Sequence, residues 1–300
     1  MDLKSFYFSA MGSPCEVHAY ASSASLAGQV AREVEEEVKR LERRYSRYRA
    51  DSVVTAINSV ASVGGELTVD EETAGLLDYA FACHRKSSGL FDITSGLFRQ
   101  VWNFSGASIP YPHDIDRLLP FVGMDKLLWD PPLLGFEVSG MEIDLGGIVK
   151  EYAADCAKEI CSDFDIGHAL IDLGGDIRVV GPHPGGSPWR IGIRNPRDPD
   201  VALKTIDLTK GALASSGDYE RFLEVDGKRY CHLINPQTGW PVQGLAGVSV
   251  VAESCLVAGS IASIAMLKQF DGIDWLAGLG VDCLWMDAGM HVGGTLWHGA

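Results

Sequence analysis

The sequence predicts an α+β fold in which helices pack on a largely antiparallel sheet core, and three observations carry that expectation. From residue 169 onward, short apolar segments follow one another through turns too brief for the crossover helices that parallel strands require. Other stretches repeat apolar residues at helical spacing. The 34 glycines among 300 residues also exceed the usual share of about 7%, as expected of a chain with many turns between short strands.

Taken in order, Phe6 to Tyr20 reads as two strands broken by a turn at Gly12 to Pro14. Val30, Val34, Val38, Leu41 and Tyr45 then recur at intervals of one helical turn, so an amphipathic helix covers that segment. Asp51 and Ser52 are placed to cap a short second helix running toward Asn58. Asp70 is the expected N-cap of a third, whose Leu76, Leu77, Ala80, Phe81 and His84 share a face and which Gly89 stops. Residues 103 to 132 hold Pro110, Pro112, Pro120, Pro131 and Pro132 and are expected to form an irregular surface excursion. LLGFEVSG and MEIDLGG then alternate as a hairpin would, and Tyr152, Ala153, Cys156, Ala157 and Ile160 mark another helix. ALIDLGGDIRVVG, WRIGIRNP, KTIDLTK, RFLEVDG, KRYCHLINP and GVSVVAES read as strands. A helix rich in small residues from Val257 to Lys268 and a hairpin around Asp282 to Gly293 close the chain.

Composition narrows the function. With 46% hydrophobic residues the chain can bury a large core, as one domain or two smaller ones. A formal charge of −15 repels nucleic acid and anionic membrane surfaces, both of which select a basic footprint. The opening MDLKSFYFSAMGSP has no apolar run of signal-peptide length, and no later stretch reaches the length of a membrane span. The seven cysteines form no C-x-x-C pair and number an odd count, as expected of reduced thiols. The expected location is the cytoplasm, without a membrane anchor.

The stretch IDLGGIVKEYAAD (Ile143 to Asp155), followed by ALIDLGGDIRVVG, sets two glycine pairs and Lys150 where strands are expected to end and a helix to begin. Glycine lets backbone N–H groups approach an anion, and the helix start contributes the positive end of its dipole. This suits a phosphorylated ligand, although D-L-G-G equally ends strands as a plain turn. Lys150 reads either as a solvated surface lysine or as the cation of that site. His232, in HLINPQTGWP, lies between a strand and a Pro/Gly turn, where its neutral form could accept a hydroxyl proton. SSGDYE is either a source of hydroxyls and a carboxylate or a simple β-turn. Tyr48 and Trp102 are aromatics near turns, able to stack on a planar ring or to pack at the edge of the core. Asp144, Asp172, Asp176 and Asp218 lie at glycine-rich strand ends, where they could hold Mg²⁺ or cap turns. No Walker A loop, G-x-G-x-x-G fingerprint or G-x-S-x-G elbow is present.

The order of motifs resembles the ApbE family, the FAD:protein FMN transferases once labelled thiamine biosynthesis lipoproteins. It runs through AMGSP, SRYRADSVVTAIN, SGLFDITSGLF with Trp102 following, IDLGGIVKEYAAD, ALIDLGGDIRVVG, SSGDYERF, DGKRYCHLINPQTGWPV and SVVAES. The resemblance implies an α+β unit over residues 1–300 with FAD in a cleft, possible between two lobes. It also implies transfer of FMN from FAD to a Ser or Thr hydroxyl of a partner flavoprotein, with release of AMP. Carried over by motif, Met11, Tyr48, Leu90, Phe91, Asp92 and Ile234 would contact FAD, and Asp144 and Lys150 would hold its pyrophosphate. The carbonyl of Gly147 would reach a Mg²⁺ ion, and His232 would deprotonate the acceptor. Many members carry A-D-x-x-S/T-T at the start of the late helix, where the aspartate and threonine bind the metal. Here AGSIAS puts Gly259 in the aspartate position and Ser263 in the threonine position. Metal affinity through that helix is therefore expected to fall unless Asp172, Asp176 or Asp218 substitutes. Two further readings stay open, an FAD pyrophosphatase that uses water as acceptor and a flavin-binding protein without activity.

Overall fold

The computed structural model describes residues 1–106 and 108–297. Strands β1 (Asp2–Ala10) and β2 (Ser13–Ala21) form the opening hairpin, with Ala10 opposite Ser13 across the Met11–Gly12 turn. Helix α1 (Ala24–Tyr45) starts at Ser23, whose side chain accepts a hydrogen bond from Leu26 N, and it buries the predicted stripe Val30, Val34, Val38, Leu41 and Tyr45. Ser52 caps α2 (Val53–Val63) in the same way, while Asp51 instead pairs with Arg49. Strand β3 (Gly65–Thr68) leads to α3 (Glu71–Lys86), capped by Asp70 through Thr73 N.

The proline-rich stretch is more ordered than the sequence suggested. It contains α4 (Pro112–Leu118) and β4 (Leu127–Asp130), and it buries Ile115 and Met124 almost completely. Pro112 occupies the first turn of α4, where no N–H partner is lost, so the proline marks a helix start rather than a gap. Strand β5 (Leu133–Phe136) pairs with β3 and β4 in a small sheet. The expected hairpin between LLGFEVSG and MEIDLGG does not form. Residues 141–145 are outside any strand, and the Asn58 side chain satisfies them instead, accepting from Ile143 N at 2.8 Å and donating to Ile143 O at 3.0 Å.

Helix α5 (Val149–Asp163) follows, then β6 (Ala169–Leu173), β7 (Asp176–Val179), β8 (Trp189–Asn195), β9 (Asp198–Leu208) and β10 (Gly211–Gly217). The chain continues through β11 (Phe222–Val225), β12 (Lys228–Cys231), β13 (Leu245–Ala252), α6 (Cys255–Leu267), α7 (Asp271–Leu279), β14 (Asp282–Asp287) and β15 (Val292–Gly293). Eight strands form the main sheet in the order β1-β2-β6-β7-β10-β13-β14-β15, every neighbouring pair antiparallel. The α+β expectation is met.

Strand side chains alternate between two apolar layers, as the two-residue period of a strand requires. Ala169, Ile171 and Leu173 of β6 join the helices α1, α5 and α6 on one face. Leu170, together with Ile177, Val179, Leu213 and Leu284, packs against the β8–β9 hairpin on the other. Burying a side chain such as Ile171 contributes about 1.5–3 kcal/mol each. No helix among the described residues is long and apolar enough to cross a membrane. All seven cysteines are free.

The α5–α6 contact sets the geometry of the candidate site. Asp155 of α5 accepts hydrogen bonds from Cys255 N and Leu256 N, both at 2.9 Å, at the start of α6, and its carboxylate also meets Arg178 Nε of β7 at 2.9 Å. The carboxylate thus satisfies two N–H groups that a helix start leaves open, and it fixes the two helices in register.

Candidate active site

The Gly146–Gly147 turn ends in α5 without a side-chain cap. Ile148 stands at the N-cap position and offers no oxygen, whereas α1, α2, α3 and α6 each begin at a capping Ser or Asp. Both glycines are exposed, and Ile148 N and Val149 N turn back to Leu145 O at 3.0 and 3.1 Å. Although those two N–H groups are taken by Leu145 O, the positive end of the α5 dipole still lies beside a turn with no side chains to obstruct an anion. The second glycine pair differs from the expectation: Gly174 and Gly175 make the β6–β7 hairpin turn, where Asp172 accepts from Gly175 N at 2.6 Å, and no helix follows.

One turn into α5, Lys150 and Glu151 meet Asp176. Lys150 Nζ lies 2.7 Å from Asp176 Oδ2, so the solvated-surface reading of this lysine does not hold. Burial acts to lower its pKa, but the carboxylates of Asp176 and Glu151 outweigh that and leave it above its ordinary value. Asp176 is almost fully buried, and desolvation pushes its carboxyl up. Glu151 is buried as well; desolvation and then the nearby Asp176 charge raise it, and its Oε2 has no hydrogen-bonding partner.

His232 follows β12 directly. Its main-chain N donates to Arg221 O at 3.0 Å, and its Nδ1 is buried without a partner. Desolvation lowers the imidazole pKa, with Glu220 opposing the shift and the positive charges of Arg221 and Lys150 adding to it. A histidine held neutral with an unused ring nitrogen is the state a general base requires.

On the other side of the Gly146–Gly147 turn, Asp144 pairs with Arg47 at 2.7 Å and accepts from Gly146 N at 2.9 Å. Gly96 makes room for the pair: a Cβ there would stand 2.6 Å from Asp144 Cβ. Arg47 also donates to the Tyr48 hydroxyl at 3.2 Å, and Tyr48 is 75% exposed. Trp102, by contrast, is 3% exposed, stacks on Phe104 and donates to Gly239 O at 2.8 Å, so it packs the core and offers no face to a ligand.

The remaining predicted residues divide similarly. Met11 sits in the β1–β2 turn at φ 53°, its N donating to Glu42 Oε1 at 2.6 Å. Leu90 is half-buried, and Phe91 lies beneath Gly147, its ring 3.7 Å from where a Cβ would be. Asp92 does not present its carboxylate: Oδ1 accepts from Thr94 N at 2.8 Å and Oδ2 from Met124 N at 2.9 Å, which pins the 3₁₀ turn after it to the segment before β4. Ile234 bridges to Pro241 across the Pro/Gly turn. Of the aspartates expected to compensate for Gly259, Asp218 is held by Arg197 at 2.6 and 2.8 Å and Asp172 caps its hairpin, so neither is free. A cavity of about 360 Å³ lined by Arg197, Asp218 and Arg229 reaches Cys231 but not Lys150.

The family pattern of the ApbE family matches residues 11–285. The chain belongs to the ApbE family. Among related proteins, an FAD:protein FMN transferase of Treponema pallidum is 30% identical over 301 residues, covering 89% of this chain and 82% of that one. Another, of Haemophilus influenzae, is 28% identical, covering 77% and 70% respectively. The crystal structure of an ApbE protein from Thermotoga maritima superposes with a TM-score of 0.88 at 31% identity, over 98% of this chain and 97% of that one. The apo flavinyl transferase ApbE of Pseudomonas stutzeri gives 0.85 at 27% identity, over 95% and 91%.

Two residues of the candidate site escaped sequence reasoning. Arg47 stands in SRYRAD without a spacing that marks it. Glu151 carried a signal: it shares the buried face of α5 with Ala154, Ala157 and Cys161, where a carboxylate is out of place unless it has work to do.

Proposed function

We propose that this chain is an FAD:protein FMN transferase, which moves FMN from FAD to a Ser or Thr hydroxyl of a partner flavoprotein and releases AMP. The observation that carries the reading is the buried imidazole of His232, whose Nδ1 has no partner and whose pKa burial lowers, together with Lys150 in the first turn of the uncapped helix α5. The hydroxyl oxygen attacks the FMN-side phosphorus, its proton passes to His232, and the bond from that phosphorus to the AMP phosphate breaks. Lys150 and the N–H groups of α5 face the negative charge that develops on the phosphates. Met11, Tyr48, Leu90, Phe91 and Ile234 would contact the flavin nucleotide, and Arg47 with Asp144 would border the pyrophosphate. Asp92 would act through the turn it holds rather than by direct contact.

A divalent cation fits the residues present in one respect and not in another. Among the described residues, no group of three or more His, Cys, Asp or Glu could hold a metal. A Mg²⁺ ion that takes most of its ligands from substrate phosphate and water would need few protein oxygens, and the orphan Glu151 Oε2, the hydroxyl of Ser263 and the carbonyl of exposed Gly147 would supply them. Such an ion would add positive charge at the pyrophosphate. Free, unpaired thiols support a reducing, cytoplasmic location.

The test incubates the protein with FAD, Mg²⁺ and a candidate acceptor. AMP release with an acceptor mass gain of one FMN is expected. AMP with only free FMN would replace transfer by hydrolysis, and bound FAD without AMP would leave a flavin-binding protein.

A further inference from the structure

Glu151 and Gly259 occupy one space. A Cβ at Gly259 would stand 2.6 Å from Glu151 Cγ and 2.7 Å from Glu151 Oε1, far inside normal contact. Asp155 explains why they meet: it anchors the first residues of α6, Glu151 lies one turn earlier on α5, and Gly259 lies one turn later on α6. The helices therefore run antiparallel here, and the same register carries Ser263 toward the Gly146–Gly147 turn. Among the described residues Ser263 Oγ reaches only Ser216 Oγ, at a long 3.4 Å. Glu151 meanwhile keeps a buried oxygen without any donor, a condition proteins rarely tolerate without a ligand.

We propose that Glu151, reaching from α5 into the space left by Gly259, supplies the carboxylate that holds this protein's divalent cation, with Ser263 as its hydroxyl neighbour. The inference rests on the FAD and cation reading above. It makes positions 151 and 259 an exchangeable pair: the carboxylate can come from either helix, but the space admits only one. Asp176 is the other buried carboxylate nearby, and its Oδ2 also lacks a hydrogen-bonding partner, but Lys150 Nζ stands 2.7 Å from it as a counter-charge, whereas among the described residues Glu151 forms no ion pair.

The experiment titrates Mn²⁺ into the intact protein with FAD present, reading bound metal by electron paramagnetic resonance, and follows FAD binding separately by flavin fluorescence. Circular dichroism and thermal melting check that each variant is folded. Glu151→Gln should weaken Mn²⁺ binding at least ~10-fold, the lower bound seen even for residues that only support a ligand. Gly259→Asp alone should also weaken it, because the new side chain displaces Glu151. The double variant Glu151→Gly with Gly259→Asp should recover binding toward the original. Unchanged Mn²⁺ affinity in folded Glu151→Gln, with FAD still bound, overturns this inference and leaves the transferase reading standing. A folded double variant no better than Gly259→Asp alone overturns it as well. Failure of the unaltered protein to bind FAD would remove the functional reading and this inference with it.

Discussion

Lys150 Nζ sits 2.7 Å from Asp176 Oδ2, joining the first turn of α5 to the start of β7 across the candidate site. The pair neutralises a carboxylate that burial would otherwise keep from ionising. Replacing Lys150 by Met leaves the buried Asp176 carboxylate without its ion-pair partner. We expect a loss of about 3 kcal/mol, the low end for a broken buried pair because the lysine side chain is still 23% exposed. Adding Asp176→Asn to Lys150→Met should return part of it. Urea denaturation of the two singles and the double measures the coupling; additive losses would mean the pair does not interact.

His232 predicts a pH profile. Burial lowers its pKa, so the neutral base persists below the ordinary histidine range of about 6.5. Single-turnover AMP release should therefore hold steady from pH 8 down through about 6.5 and fall only at lower pH, as the imidazole takes up a proton. His232→Gln should reduce the rate by about 10²–10⁴-fold and abolish that acid limb. An acid limb centred above 6.5, or one retained in the variant, would assign the base to another group.

How far the sequence could be read follows from where each element keeps its signal. Helices α1 and α3 announced themselves because apolar spacing, a capping residue and burial all agree. Strand β10 did not: Gly211 to Gly217 is built from Gly, Ala, Leu and Ser, and its backbone pairs with β7 and β13 without an apolar alternation to reveal it. Residues 141–145 alternate like a strand yet are bound by the Asn58 side chain, a partner 85 residues away that no local pattern records. At the site, His232 and Lys150 were recognisable from their motifs, but the Lys150–Asp176 pair and the meeting of Glu151 with Gly259 depend on how α5 packs on β7 and α6. Asp92 shows the converse, a motif residue whose carboxylate is taken up by backbone N–H groups.

Gly239 is a position where the backbone alone is at stake. Its φ is +70°, and a Cβ would lie 2.3 Å from Ile115 Cγ2 and 2.8 Å from Phe98 Cε1. Its carbonyl also accepts from Trp102 Nε1 at 2.8 Å. Gly239→Ala combines a disfavoured conformation with overpacking, so a loss of about 2–4 kcal/mol is expected. The midpoint of chemical denaturation reports it, and a change under about 0.5 kcal/mol, the level of an ordinary surface substitution, would contradict this packing.

Tyr48 offers the opposite test, since a side chain 75% exposed contributes little to folding. Its hydroxyl accepts from Arg47, and its ring lies 5.2 Å from the Arg47 guanidinium, which in turn binds Asp144 beside the Gly146–Gly147 turn. The ring is thus held at the edge of the site by a cation that is itself anchored, a placement suited to stacking on a planar ligand. Tyr48→Ala should change stability by no more than about 0.5 kcal/mol. FAD binding, followed by flavin fluorescence, should weaken by about 5- to 10-fold, corresponding to the roughly 1–1.5 kcal/mol of an aromatic contact. Tyr48→Phe should keep most of the affinity, because the ring and not the hydroxyl faces the flavin nucleotide in this reading. Equal FAD affinity in Tyr48→Ala would remove Tyr48 from the binding surface.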